Sequence, residues 1–345
     1  MIFSSDVGRK PDSGRRGEGT LLLTRSDVAS LLTLDDCIGG VEAAFRLHAE
    51  GRTLPPAVLG VPSGDGGFHI KTAGLTVERT WFAMKCNANF PGNPARLGMP
   101  AIQGVIVLCD GDNGAPLAVL DSAEITILRT GAATAVAAKH LAREDARVAT
   151  ICGCGNQGRA QLRALTRVRA LDRVFAFDAD AAAAAAFAAE MALACGIAVE
   201  AVADLATAVR ASDICVTCTP SRRYILHAED VRPGTFVAGV GADSETKWEI
   251  DPRLFARARV VVDSLDQCAV IGDLHHALEA GAITRDAVHA ELVDLIAGRV
   301  AGRATPEEIT LFDSTGVALE DVGAALVVYQ RALERGAGLR LDFSS

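Results

Sequence analysis

Residues 151–164 read ICGCGNQGRAQLRA, and a stretch of this kind admits few folds. The run ARVATI before it is short, apolar and β-branched, while the Ala/Leu/Arg text after it has helical spacing. Strand, glycine turn and helix therefore follow one another. Gly153, Gly155 and Gly158 fit G-x-G-x-x-G: the first turns the chain, the second lets a pyrophosphate approach the backbone, and the third lets helix pack on strand. The phosphates would rest on the helix N-terminus, at Asn156 and Gln157, where free N–H groups and the helix dipole favour an anion. A second strand, DRVFAF, ends at Asp178, roughly the twenty residues onward that a ribose-binding carboxylate requires. A carboxylate there accepts from the ribose hydroxyls and repels a 2′-phosphate. No arginine follows it to pair with such a phosphate, so NAD rather than NADP is the expected cofactor.

With 345 residues, half of them apolar, the chain can form two domains that each bury a core, and a packed globular enzyme is the natural class. A formal charge of −9 and the lack of any Lys/Arg run argue against nucleic acid as a partner. No stretch has the apolar length of a bilayer span. Residues 1–20 carry charges and glycines where a signal peptide would need an apolar core, so a cytoplasmic protein is expected. Nine cysteines are too sparse for a disulfide scaffold. The pairs Cys215/Cys218 and Cys152/Cys154 fall in apolar strands or the glycine turn and read as buried thiols. Asp273, His275, His276 and Glu279 read as a capped helix start rather than a metal site, for want of a third well-spaced ligand; no metal is expected.

In chain order, the polar, aperiodic residues 1–20 are expected as a loose flexible tail. Thr24 or Ser26 can cap a helix through Leu32, and Asp35 or Asp36 can begin a second, which Leu54-Pro55-Pro56 breaks. Residues 57–120 alternate in short runs between Gly, Pro and Asn, predicting a mainly antiparallel sheet with its clearest hairpin at Asp112-Asn113-Gly114. A helix over 124–141 leads into strands and helices in alternation, with later strands at 197–202, 214–219, 234–240 and 259–263. A parallel, doubly wound sheet requires that alternation, and the sixth strand completes its usual count. The rest reads as helical, ending with residues 319–333 beyond a turn at Asp313-Ser314-Thr315-Gly316.

The segments LRTGAATAVAAKHLAR, GVGADSETKWEID and ITLFDSTGVALEDV occur in the order in which the ornithine cyclodeaminase/mu-crystallin family carries its motifs, and the chain resembles that family over about residues 21–335. The resemblance implies an α/β fold: a Rossmann NAD-binding domain, here 131–309, inserted in an α+β substrate-binding and dimerisation domain, here 21–130 and 310–345, of a homodimer. It also implies NAD(P)-dependent chemistry at the α-carbon of an amino acid or the C=N bond of a cyclic imine.

Carried over residue by residue, Asp243 in Gly241-Ala242-Asp243 matches the family's acid/base carboxylate. At the carboxyl end of the fifth strand it can take a proton from the substrate amine as hydride leaves Cα. The mu-crystallin branch lacks this aspartate. Lys85, ahead of Pro91-Gly92-Asn93, matches the family lysine; alternating into an apolar strand it needs an anion, which the substrate carboxylate or the group at Cα would supply. Arg129 matches the arginine of an arginine-threonine motif, and its fork suits a carboxylate. Arg52 is a third cation for that carboxylate, on a looser alignment. Thr130, Thr219, Ser221 and Ser314 resemble the family's contacts to the cofactor.

The departure is His69-Ile70-Lys71, where the cyclodeaminases resemble Glu-Leu-Met-Pro. His69 and Lys71 share a strand face, placing an imidazole and a cation where a carboxylate could receive the distal amine of ornithine. A shorter or more anionic amino acid, or an imino acid, suits that face better. The expected protein is an NAD-dependent enzyme of the cyclodeaminase type, converting an L-amino acid through an iminium to a cyclic imino acid plus ammonia. An alanine-type dehydrogenase and a cyclic ketimine reductase share that intermediate and stay open. So does a nucleotide-linked binding protein like mu-crystallin, although a hydrophobic ligand would want apolar walls.

Overall fold

The computed structural model describes Phe3 and residues 19–343. The tail expected over residues 1–20 lies mostly outside them; Thr20 is already in a strand. The chain forms two compact units, one of residues up to Arg129 together with those from Val317 onward, and one of Thr130–Gly316.

The chain opens with β1 (Thr20–Leu23), α1 (Arg25–Leu31) and α2 (Leu34–Ala49). Threonines start both helices. The Thr24 hydroxyl accepts the Asp27 N–H while the Asp27 carboxylate accepts the Thr24 N–H at 2.9 Å, a capping box. Thr33, rather than Asp35 or Asp36, caps α2 by accepting the Asp36 N–H at 3.2 Å. There follow β2 (Thr53–Ser63), β3 (Gly66–Thr76), β4 (Thr80–Asn89), α3 (Asn93–Leu97), β5 (Ile102–Asp110), β6 (Pro116–Asp121) and α4 (Ser122–Leu141). β2 starts before the two prolines, not after them. They are tolerated because β2 is an edge strand whose register shifts between Leu54 and Ala57.

The second unit contains β7 (Val148–Cys152), α5 (Asn156–Val168), β8 (Arg173–Phe177), α6 (Ala181–Cys195), β9 (Ala198–Ala201), α7 (Leu205–Arg210) and β10 (Ile214–Thr217). Next come β11 (Arg222–Leu226), β12 (Phe236–Gly239), β13 (Trp248–Ile250), α8 (Pro252–Phe255), β14 (Ala258–Val262), α9 (Leu265–Ile271), α10 (Asp273–Glu279), β15 (Ala290–Glu291), α11 (Leu292–Ile296) and β16 (Ile309–Asp313). Eight strands pair in the order β15-β14-β16-β12-β10-β7-β8-β9, every pair parallel, and β11 pairs with β13 apart from them. The sheet is therefore not complete at the sixth strand. β16 inserts between β14 and β12 and is buried at all five positions, so residues 310–313 belong here and not with the C-terminal segment. A strand buried at every position needs covering on both faces, which a doubly wound sheet gives it.

The chain then returns to the first unit with α12 (Ala318–Arg335) and β17 (Leu339–Leu341). The first unit's sheet runs β17-β1-β6-β5-β4-β3-β2, antiparallel except where β1 lies parallel to β6. β1 was not foreseen, being four residues long and paired only with strands distant in sequence. Alternate residues Ala73, Leu75, Trp81, Ala83, Ile106, Leu108, Ala118 and Leu120 make the covered face, none more than 4% exposed. α12 packs on β3, β4 and β5 and crosses α2 closely. A Cβ on Gly323 would stand 2.7 Å from the Gly40 carbonyl oxygen, so only glycine permits that approach. Among the described residues no helix is long and apolar enough to cross a membrane, and no two cysteines are bonded.

Candidate active site

The turn from β7 into α5 is Gly153-Cys154-Gly155. Gly153 has φ of +104°, and a Cβ on Gly158 would stand 2.1 Å from the Gly153 carbonyl oxygen, so α5 seats directly on the turn. Gly155 differs: nothing lies within 4 Å of where its Cβ would be, and no side chain caps α5. Exposed backbone and the uncapped first turn at Asn156 and Gln157 make a cradle that a pyrophosphate fits. Asp178 Oδ2 accepts the Cys154 N–H at 2.8 Å and Oδ1 accepts the Asp180 N–H at 3.0 Å. Each oxygen keeps lone-pair capacity for a ribose hydroxyl. Asp180, the N-cap of α6, adds a second negative charge that a 2′-phosphate would meet.

Behind the loops that follow β10 and β12 lies Glu249, wholly buried. Its Oε1 accepts the Thr219 N–H at 2.5 Å and the Thr219 hydroxyl at 2.7 Å, and its Oε2 accepts the Gly241 N–H at 2.9 Å. One carboxylate thus holds two loops at the carboxyl ends of the strands. Burial, and then the neighbouring Asp273, push its pKa up. Thr219 is thereby committed to the protein. The same holds for Ser221, which donates to the Arg223 carbonyl at 2.6 Å, and for buried Ser314, which donates to Asp263 Oδ2 at 2.9 Å. Thr130, also buried, accepts the Thr134 hydroxyl on its carbonyl at 3.4 Å. The Thr219, Ser221 and Ser314 side chains shape the loops, whereas Thr130 lies within α4; what the three can still offer a nucleotide is backbone and lone pairs.

Asp243 sits in the loop after β12, its side chain 45% exposed, with Oδ1 2.5 Å from Lys247 Nζ. It pairs with this lysine instead of capping the turn that follows. The Lys247 carbonyl in turn lies 3.0 Å from His276 Nε2, and Trp248 stacks on the His276 ring. His275, His276 and Glu279 bring three ligand-type atoms within 4.8 Å of one another, a convergence that their sequence spacing did not reveal.

In the first unit, Lys71 and Lys85 stand opposite each other on β3 and β4, on the face covered by α12. Lys85 Nζ is 2.6 Å from Asp321 Oδ2. Arg129, on α4, donates to Glu320 Oε2 at 2.8 Å and places its Nε 3.2 Å from Asp321 Oδ1. The five side chains are buried together, and the anion beside Lys85 is the protein's own Asp321 rather than a substrate group. Lys85 and Arg129 pair with the two carboxylates, and Lys71 stands beside them opposite Lys85. Burial, joined by Arg129 and Lys71 and opposed by Asp321, pulls the Lys85 pKa down to about 7. Burial pushes Asp321 the other way, but Lys85 and Arg129 outweigh it and keep its carboxyl below the usual range. Half-buried His69 is opposite Asn87, which accepts the Ser122 hydroxyl at 2.6 Å. Arg52 is not gathered here. It is exposed at the α2–β2 turn, donating to the Val77 carbonyl at 2.6 Å and pairing with Glu50 at 3.2 Å.

A family model, ornithine cyclodeaminase/mu-crystallin, matches residues 18–336. The chain belongs to this family. The alanine dehydrogenase of Archaeoglobus fulgidus is 38% identical over 324 residues, covering 94% of this chain and 98% of the relative. A solved Δ1-pyrroline-2-carboxylate reductase of Thermococcus litoralis, in complex with NADH and L-proline, superposes with a TM-score of 0.89 at 34% identity, covering 93% of this chain and 100% of that one. An archaeal alanine dehydrogenase dimer with bound NAD gives 0.90 at 38% identity, covering 94% and 99%. The α/β class expected for a member of the ornithine cyclodeaminase/mu-crystallin family holds. Sequence reasoning missed Glu320 and Asp321, although both lie inside ITLFDSTGVALEDV. The available signal was two adjacent acids in a helix that is otherwise apolar on nearly every face.

Proposed function

We propose that this protein is an NAD-dependent oxidoreductase that interconverts a small L-α-amino acid and its α-imine. The reading follows a dehydrogenase or cyclic ketimine reductase more closely than a cyclodeaminase. One observation carries it: Lys71, Lys85 and Arg129 are buried together beside Glu320 and Asp321, three cations on one face to which a substrate carboxylate can bind. The same face offers cations where a distal substrate amine would need an acceptor. Two of its relatives are named for alanine and for pyrroline-2-carboxylate, which have no distal amine, whereas a lysine cyclodeaminase that recognises L-lysine and L-ornithine is 30% identical.

NAD, when bound at the glycine turn, supplies the acceptor or donor of hydride at Cα. Lys85, with its pKa near 7, takes a proton from or returns one to the substrate nitrogen. Asp243, which pairs with Lys247 in its loop, is the second acid/base group. In the dehydrogenase direction an amino acid, NAD+ and water give a 2-oxo acid, ammonium, NADH and a proton. The protein acts as a homodimer. Support comes from the outer face of the first unit's sheet, where Leu59, Val61, Phe68, Met84 and Val105 are 36 to 56% exposed in one apolar patch.

The deciding experiment follows NADH absorbance and ammonia together on the purified protein, with L-alanine, L-proline, L-ornithine and L-lysine against NAD and Δ1-pyrroline-2-carboxylate against NADH. Net NADH change with alanine, proline or the imine, abolished in Asp243→Ala and Lys85→Ala, is expected. Ammonia from ornithine without net NADH would replace this reading with a cyclodeaminase, and NAD binding with no turnover would replace it with a binding protein.

A further inference from the structure

On α10, His275 Nδ1 lies 3.2 Å from the Ala269 carbonyl oxygen and His276 Nε2 lies 3.0 Å from that of Lys247. A carbonyl only accepts, so each of these nitrogens carries its ring proton and donates. In the neutral rings the other nitrogens, His275 Nε2 and His276 Nδ1, are then bare lone pairs. Both face one carboxylate, with Glu279 Oε2 at 3.6 and 3.8 Å. Among the described residues Glu279 has no lysine or arginine partner. With both rings neutral, three electron-pair donors converge, and a cation between them satisfies all three. The separations approach the roughly 3.4 Å edge of a tetrahedron built on metal–ligand bonds of about 2.0–2.1 Å. Backbone carbonyls fixing the far ring nitrogens are the support that metal-binding histidines use.

A second group, His227, Glu229 and Asp251, converges in the same way. There the charge is already answered, because Arg253 Nη2 is 2.8 Å from Glu229 and 2.5 Å from Asp251.

We propose that His275, His276 and Glu279 bind a zinc-class divalent cation, with solvent completing its coordination. Two imidazoles and one carboxylate select Zn2+, Co2+, Ni2+ or Cu2+ over Mg2+ and Ca2+. Through His276 the bound cation fastens α10 to the Lys247 carbonyl, and so stiffens the loop on which Asp243 pairs with Lys247. The binding site itself does not depend on the reaction proposed above.

The test uses the full chain freed of metal by a chelator and titrated with Co2+ and with Zn2+. Co2+ is read by its visible absorption bands. Zn2+ is read in Trp81→Phe by the fluorescence of Trp248, whose ring stacks on His276 at 4.7 Å. Saturation at one equivalent is expected, weakened at least about tenfold in His275→Ala and in Glu279→Gln, two partly exposed positions whose replacement spares the core. Hydrogen exchange across residues 243–248 should slow on adding Zn2+ to the unsubstituted protein and not to Glu279→Gln. Absence of binding at millimolar cation, or equal affinity in both variants, overturns the site. Binding without slower exchange overturns its coupling to the loop.

Discussion

Lys85 Nζ and Asp321 Oδ2 meet at 2.6 Å with both side chains 3% exposed, so a strand and the last helix of the first unit are joined by a dry ion pair. Burial holds the lysine near the point of losing its proton, at about 7. In the oxidative direction kcat/KM should therefore rise as pH climbs through about 7, when Lys85 becomes free to accept a proton. Lys85→Arg, which keeps the charge and cannot titrate in this range, should lose that limb together with about 10²-fold or more of the rate. Stability follows from the same shift. The folded value lies below the usual 10.5, so this group's contribution is fully present above 10.5 and is lost as pH falls through about 7. Urea unfolding of the unsubstituted protein against Lys85→Met, at several pH values, checks the sign.

The glycine turn separates stability from binding. Gly155→Ala adds a Cβ into open space at a φ of −82°, so the fold should change by less than about 1 kcal/mol while NAD affinity falls at least about tenfold. Gly158→Ala drives a Cβ to 2.1 Å from the Gly153 carbonyl oxygen and should cost a few kcal/mol, about 1–3. Thermal melts with and without NAD, beside calorimetric titration, distinguish the two. Equal loss of stability in both variants would mean that Gly155 is structural.

Much of this was legible in the sequence, because local patterns carry it. The turn at 153–158, the strand ending at Asp178 and the alternation through 177 to 263 declare themselves by spacing alone. β16 did not, since nothing in ITLFD says which two strands it will lie between, and that choice is made by long-range pairing. The partners of Lys85 were hidden for the same reason. Lys85 announced that it needed an anion, but Asp321 is far along the chain and reaches it only because α12 packs on β4. Glu249 is a case where one carboxylate holds two loops that are each too short and irregular to be read as structure.

That carboxylate gives a prediction of opposite sign to Lys85. Burial and Asp273 raise the Glu249 pKa above its usual 4.5, so the folded chain keeps a proton that the unfolded chain has released. The stability it contributes is fully present below pH 4.5 and is lost as pH rises through the folded value. Glu249→Gln should remove this alkaline loss. It should also cost about 1–3 kcal/mol at low pH, because an amide cannot accept the Thr219 and Gly241 N–H groups at both ends. Chemical denaturation across the pH range measures both effects.

Lys71 tests the charge argument most directly. Its ammonium faces Lys85 across the β3–β4 ladder and is one of the groups that hold the Lys85 pKa down, after burial and alongside Arg129. Lys71→Met leaves the strand and its apolar stem intact but removes one positive charge from the cluster. Two consequences should appear together: the pH limb assigned to Lys85 moves to higher pH, and KM for the carboxylate substrate rises about tenfold, the equivalent of about 1.4 kcal/mol. Lys71→Arg should restore KM, because the charge returns, while Lys71→Gln should not. If Lys71 served packing alone, Lys71→Met would lower or preserve the melting temperature with the pH limb unmoved, and the substrate carboxylate would have to be held by Arg129 and Lys85 without it.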